Sequence, residues 1–187
     1  MTKKIGIIVG STRQGRISPA IAAWVVSNVN KHPELSAEVL DLAAINLPFF
    51  NEPTIPSVAP GVSEAAVAWA AKASSMDAFI VLTSEYNAGY PASLKNAIDY
   101  LKNEWLNRPI FIVSYGFGGG TSAAHQLYEV FTRLGSTLIE PNIAILIGDK
   151  LNANGGIDNP ETTLAIHDAE LEIALNTIEA FTPKADS

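Results

Sequence analysis

Cysteine is absent from the 187 residues, which excludes a disulfide framework, a thiolate nucleophile, a zinc knuckle and an iron–sulfur cluster. Any redox chemistry must come from a bound organic cofactor. Charge is also sparse, at 17% of residues against 48% hydrophobic, and 12 basic side chains face 19 acidic ones for a net charge of −7. Disorder needs lower hydrophobicity and more charge. A net acidic chain repels nucleic acid and anionic membrane surfaces, so neither is expected as a partner. No apolar run approaches the roughly 20 residues that span a bilayer, and Ile5 to Val9 is too short for the apolar core of a signal peptide. One compact domain over residues 1–187, in the cytoplasm, is the expectation. His32, His125 and His167 lie apart without metal-ligand spacing. The stretch from Lys150 resembles a calcium loop but has lysine where the first carboxylate must stand. The G-x-S-x-G elbow of serine hydrolases is missing as well. No metal site is expected.

What is present is a repeated alternation. The segments Lys4 to Gly10, Ala78 to Thr83 and Pro109 to Ser114 are short apolar runs rich in branched residues, as strands buried on both faces must be. Residues 37–42 and Thr137 to Leu146 read as two further strands. Helical spacing of apolar residues follows each: from Pro19 to Lys31, with Ser18 as N-cap, then Ser63 to Ser74, Pro91 to Lys102, Thr121 to Leu134, and 160–181. Residues 43–61 carry four prolines and no period, so a long loop is expected, with 148–159 as a second mobile piece. Trp24, Trp69 and Trp105 fall on helices as core or interface anchors. Five βα units predict an α/β three-layer sandwich around a parallel sheet in the order 2-1-3-4-5, with ligand bound beyond the carboxyl ends of the strands.

Residues 1–33 carry five basic side chains, Lys3, Lys4, Arg13, Arg16 and Lys31, and no acidic one. Two of these stand in the first loop, Gly10-Ser-Thr-Arg-Gln-Gly-Arg-Ile-Ser18, between a buried strand and a helix N-terminus. Backbone N–H groups and the helix dipole converge there and favour an anion. Ser11, Thr12 and Ser18 add hydroxyls, and Arg13 and Arg16 add forked donors suited to a phosphate. The loop is close to the nucleoside triphosphate pattern G-x4-G-K-[ST], yet arginine replaces lysine and Ile17 replaces the magnesium-binding hydroxyl residue. The dinucleotide pattern G-x-G-x-x-G is absent, and Asp41 is read as a strand-end or capping residue.

The second loop, from Ser84 to Pro91, clusters aromatics with Glu85 and Asn87, which suits the edge and face of a flat heteroaromatic ligand. The third, Ser114-Tyr-Gly-Phe-Gly-Gly-Gly120, presents peptide groups where side chains would block close approach.

At these residues the sequence resembles the NAD(P)H-dependent FMN reductases and quinone reductases of the flavodoxin-like superfamily. The resemblance is carried by GSTR-x-x-R-x-S in the first loop, by EYN…P…LKNAID at 85–99, and by SYGFGGG in the third loop. Ser84 stands where many members have proline, and Ala92 where many have glycine. The resemblance implies FMN as cofactor and NADPH or NADH as co-substrate. It implies that Ser11, Arg13, Arg16 and Ser18 hold the phosphate. It also implies that Glu85, Tyr86 and Asn87 line the isoalloxazine ring, that Ser114, Tyr115, Gly116 and Gly118 flank it, and that Ile17 and Ser84 complete the cofactor contacts. The expected function is hydride uptake from NAD(P)H and reduction of a small acceptor, a flavin, quinone, azo compound or metal oxyanion, by ping-pong kinetics. The flavin does the chemistry, so no catalytic side chain is required. The resemblance further implies a homodimer or a dimer of dimers, for which Leu94, Ile98 and Leu101 beside Trp105 are the sequence's own candidates. Three alternatives stay open: a flavodoxin-type electron carrier, a phosphate-loop nucleotide kinase and a non-catalytic regulatory domain that senses flavin.

Overall fold

Strands that are apolar on both faces have to sit in the middle of a sheet, and they do. In the computed structural model, which describes residues 2–182, β1 (Lys3–Val9), β3 (Ala78–Ser84) and β4 (Pro109–Gly116) are buried almost throughout. The outer strands β2 (Leu35–Asp41) and β5 (Thr137–Leu146) alternate between buried and open positions. All pairings are parallel and the order is β2-β1-β3-β4-β5. Pro141 lies in β5, an edge strand, where a residue without an N–H is tolerated. The register with β4 shifts across this stretch.

The helices are α1 (Ser18–Val29), α2 (Leu42–Ile45), α3 (Glu64–Ser74), α4 (Ala92–Asp99), α5 (Thr121–Leu134), α6 (Pro160–Thr163) and α7 (Asp168–Ala180). They divide the core in two. Ile5, Ile7, Trp24, Phe111, Leu171 and Leu175 pack on the α1 and α7 face; Ile8, Trp69, Phe79, Trp105 and Phe131 pack on the α3, α4 and α5 face. Each tryptophan is buried with its N–H satisfied, as a buried indole requires. Trp24 donates to Asp168 Oδ1, Trp69 to the Ala97 carbonyl and Trp105 to the Ile98 carbonyl. At the amino edge, Lys3 Nζ donates to the carbonyl oxygens of Ile178, Glu179 and Phe181, closing the C-terminal end of α7 with a cation.

Several expectations are corrected. Leu94, Ile98, Leu101 and Trp105 are buried within the chain's own second core and present no face to a second subunit. The 43–61 segment is not wholly loop: Asp41 caps the short helix α2 by accepting from Ala43 N at 3.0 Å. Ser18 does not cap α1. Ile17 occupies that position at φ −94°, ψ −9°, and Ser18 is already helical, so its hydroxyl cannot turn back to the first amides. The helix begun at Pro91 ends at Asp99, short of Lys102. The C-terminal helix is broken into α6, a 3₁₀ turn at Ala165–His167 and α7, the chain turning so that Leu164 buries in the first core. No helix among the described residues is long and apolar enough to cross a membrane.

Candidate functional site

A parallel sheet delivers every strand-to-helix loop to one edge, and three of these loops meet beyond β1, β3 and β4. The first leaves β1 while still paired to β3: Gly10 N donates to the Leu82 carbonyl at 3.0 Å. A Cβ at Gly10 would lie 2.9 Å from that same oxygen, so glycine is required. None of the backbone N–H groups of residues 11–17 has a partner among the described residues. Ser11 is buried, and its Oγ lies 2.6 Å from Tyr86 Oη. Arg13 is exposed and folds over its own loop, donating to the Gln14 and Gly15 carbonyls. Arg16 grips Asp41 with two bonds of 2.6 and 2.7 Å.

That pair shifts both titrations. Hydrogen bonding to Arg16 holds the Asp41 carboxyl below its ordinary value, and the bond to Asp41 raises the Arg16 guanidinium. A carboxylate whose folded pKa is lowered adds stability above its unfolded pKa and loses it as pH falls through the folded one. Wild type and Asp41→Asn should therefore differ most in urea midpoint near neutrality, and the gap should close on acidification below about pH 4, the ordinary aspartate value. A gap that persists at acid pH would remove the ion pair as its cause.

The second loop contains a two-residue reverse turn. Tyr86 N donates to the Gly89 carbonyl and Gly89 N to that of Tyr86, with φ of 51° at Asn87 and 63° at Ala88. Alanine in the left-handed region is strained by about 1–2 kcal/mol. The turn is held from α5, where Gln126 Nε2 donates to the Ala88 carbonyl at 2.7 Å and the Ser122 and Ala123 amides donate to Glu85 Oε2. Ala88→Gly should raise stability by about 1 kcal/mol in chemical denaturation; a loss would show that the turn relies on the methyl group.

The third loop turns through Gly119 and Gly120, at φ of 75° and 70°. Ser114 Oγ donates to the Gly119 carbonyl at 2.7 Å and ties the loop to β4. Behind it the Tyr115 phenol, pushed up by burial, lies near the hydroxyls of Ser18 and Ser84, yet Ser18 Oγ, Ser84 Oγ and Tyr115 Oη are all buried without a completed hydrogen bond. Burial pushes the Tyr86 phenol up too, but polar contact with Ser11 and Ser84 and the charge of Arg13 outweigh it, leaving that pKa below its ordinary value.

A cavity of about 540 Å³ opens among these loops. Ser11, Arg13, Arg16, Ile17, Ser84, Glu85, Tyr86, Tyr115 and Gly116 line it, so most of the residues expected from sequence are brought together. Ser18 is fully buried near the Tyr115 hydroxyl and is not among the lining residues. Asn87 sits at the exposed tip of the turn, Ser114 is engaged inside the third loop, and Gly118 has no neighbour within 4 Å of its Cβ direction. Sequence reading missed Phe117, Ile147, Leu151, Asn154 and Gly155 on the same wall. Phe117, 80% exposed inside a glycine run, is the one among them with a readable signal; the others come from a segment shaped by Asn152, whose Oδ1 accepts from Asn154 N and Gly156 N.

The donor set fits FMN. Unpartnered amides, orphaned hydroxyls and Arg13 suit a phosphate, while the Tyr86 and Tyr115 side of the cavity suits a flat ring. Sheet order and loop chemistry together define a flavodoxin-like fold with a site suited to the phosphate and ring of a mononucleotide. The profile of the NADPH-dependent FMN reductases matches residues 3–148, and the chain belongs to that family, enzymes that use FMN as cofactor and NAD(P)H as electron donor. An NAD(P)H-dependent FMN reductase of Schizosaccharomyces pombe is 36% identical over 176 residues, 93% of this chain and 88% of the relative. One from Saccharomyces cerevisiae is 37% identical over 165 residues, 82% and 78% of the two chains. Among solved structures, the flavoenzyme NAD(P)H:acceptor oxidoreductase FerB of Paracoccus denitrificans shares the fold at a TM-score of 0.75 and 21% identity, covering 95% of this chain and 98% of its own.

Proposed function

We propose that the protein passes electrons from NAD(P)H to a small acceptor, a flavin, quinone, azo compound or metal oxyanion, with donor and acceptor using one site in turn. FMN bound in the cavity would supply the chemistry, accepting a hydride from NAD(P)H and passing its two electrons, with the proton, to the second substrate. The observation that carries this reading is the cavity at the end of β1, lined by Ser11, Arg13, Ser84 and Tyr115, beside a loop whose amides from 11 to 17 have no partner among the described residues, with the Ser84 and Tyr115 hydroxyls left unsatisfied. Ser11, Arg13 and Ser18 belong to the phosphate end of the cavity. Ile17, Ser84, Glu85, Tyr86, Asn87, Ser114, Tyr115, Gly116 and Gly118 surround or shape the ring end. Glu85 does so indirectly, because its carboxylate anchors the second loop to α5. No side chain has to act as acid or base.

The kinase alternative lacks support at Ile17, an apolar core residue where that chemistry needs a metal-binding hydroxyl. The test is reconstitution with FMN followed by NADPH under anaerobic conditions. Rapid bleaching of the yellow colour, its return on adding a quinone, and parallel initial-rate plots are expected. An unbleached flavin would assign the protein to electron carriers, and magnesium-dependent ATP binding without colour would assign it to kinases. A cytoplasmic homodimer or dimer of dimers completes the reading; light scattering gives the mass, and a monomer would remove the dimer from it.

A further inference from the structure

The first loop holds two arginines, and their surroundings differ. Arg16 meets both oxygens of Asp41, and its Nη1 also donates to the Ser11 carbonyl at 2.8 Å. The two side chains are only 17% and 27% exposed. A guanidinium held in a two-pronged grip by a carboxylate has its fork oriented and its charge largely cancelled for any third group. Arg13 meets no carboxylate among the described residues; it donates to the Gln14 and Gly15 carbonyls and lies beside the Tyr86 phenol.

The bond to Ser11 also has a direction. The Ser11 C=O and the Thr12 N–H belong to one trans peptide and point opposite ways. Holding that carbonyl toward Arg16 turns the Thr12 amide to the other side, in a loop whose amides from 11 to 17 have no partner among the described residues. Ser11 also reaches Tyr86 through its Oγ, so one residue registers the first loop against the second. Asp41 ends β2, the neighbour of β1. That is where a dinucleotide-binding sheet keeps an acid for the ribose, but here the carboxylate faces its own chain.

We propose that Arg16 is a positioning residue and not a phosphate ligand: Asp41 neutralises it and aims it at Ser11, setting the loop amides for the phosphate, while Arg13 supplies the cation. This rests on the FMN reading given above. A double-mutant cycle on Asp41 and Arg16 tests it, read by fluorescence titration of apoprotein with FMN and by melting of the apoprotein. Asp41→Asn and Arg16→Ala should each weaken FMN binding by about tenfold or more, the effect of a lost charge-assisted bond network. The double variant should be no weaker than the poorer single one, because both remove the same brace. Melting temperatures without FMN should fall together in all three.

A phosphate-ligand role for Arg16 predicts the reverse for Asp41→Asn, since a freed guanidinium would bind FMN as tightly or more tightly. That result, or additive losses in the double variant, overturns the proposal. Should Asp41→Asn not fold, Arg16→Lys decides: it keeps the charge and loses the fork, so a brace expects a drop of about tenfold, and affinity within threefold of wild type sinks the brace. Wild-type protein that binds no FMN would defeat the cofactor reading itself. Normal FMN binding in the wild type with an unaffected Asp41→Asn variant overturns the brace and leaves the cofactor reading standing.

Discussion

Gly120→Ala is expected to lower stability by about 2–4 kcal/mol, combining left-handed strain with overpacking, and to abolish FMN binding at concentrations that saturate the wild type. The residue has φ of 70°, and a Cβ built on it would lie 2.8 Å from Tyr115 N and 2.9 Å from Tyr115 O. Both neighbours are backbone of β4, a buried central strand, and cannot give way as a side-chain tip could. Relief must come from the loop itself, which would pull the Gly119 carbonyl from Ser114 Oγ and disturb the first turn of α5, where Ala124 N donates to the Gly120 carbonyl. That turn also holds Glu85, so the damage reaches the second loop. Gly118→Ala is the control: nothing lies within 4 Å of its Cβ direction, and a change within about 0.5 kcal/mol is expected. Equal losses in the two variants, by urea denaturation, would show that glycine content and not this close approach governs the loop.

Arg13→Ala is expected to weaken FMN binding by about 1.5–3 kcal/mol, the range for hydrogen bonds to charged groups, with riboflavin binding unchanged because it lacks the phosphate. The loss should shrink at high salt, since an exposed guanidinium is screened. Apoprotein stability should hardly move, the exposed side chain donating to carbonyls of its own loop and otherwise meeting only the half-open Tyr86 phenol. Flavin fluorescence titration in low and high salt checks all three statements, and equal FMN affinity in variant and wild type would take Arg13 out of the site.

The central strands and their order were legible because burial on both faces forces a sequence that nothing else produces; Ile5 to Val9 and Ala78 to Leu82 leave no polar side to read. The loops were legible where a local rule applies, as at Gly10, whereas the Tyr86 to Gly89 turn, with Ala88 in the left-handed region, follows none. The partners that shape the site lie far off in sequence and follow no local rule. Asp41 could be read as a cap from its place before α2, but its grip on Arg16 depends on the β1–β2 register. Glu85 reads as a ring-lining acid until α5 is placed beside it, and Gln126 carries no sign of reaching Ala88. Ser18 follows the N-cap preference and misses it by one residue, because Ile17 already has near-helical backbone angles. Ser84, the departure from the usual proline, brings a buried hydroxyl that only the assembled cavity shows to be unsatisfied.

The lysine that seals α7 brings Lys3 and Phe181 side by side, at the margin of the sheet where β1 begins. The cofactor loops leave from the opposite margin, where β1, β3 and β4 finish. A tether attached at Phe181 would thus leave from the back of the molecule. An electrode or bead coupled there would leave the cavity facing outward toward its small substrates.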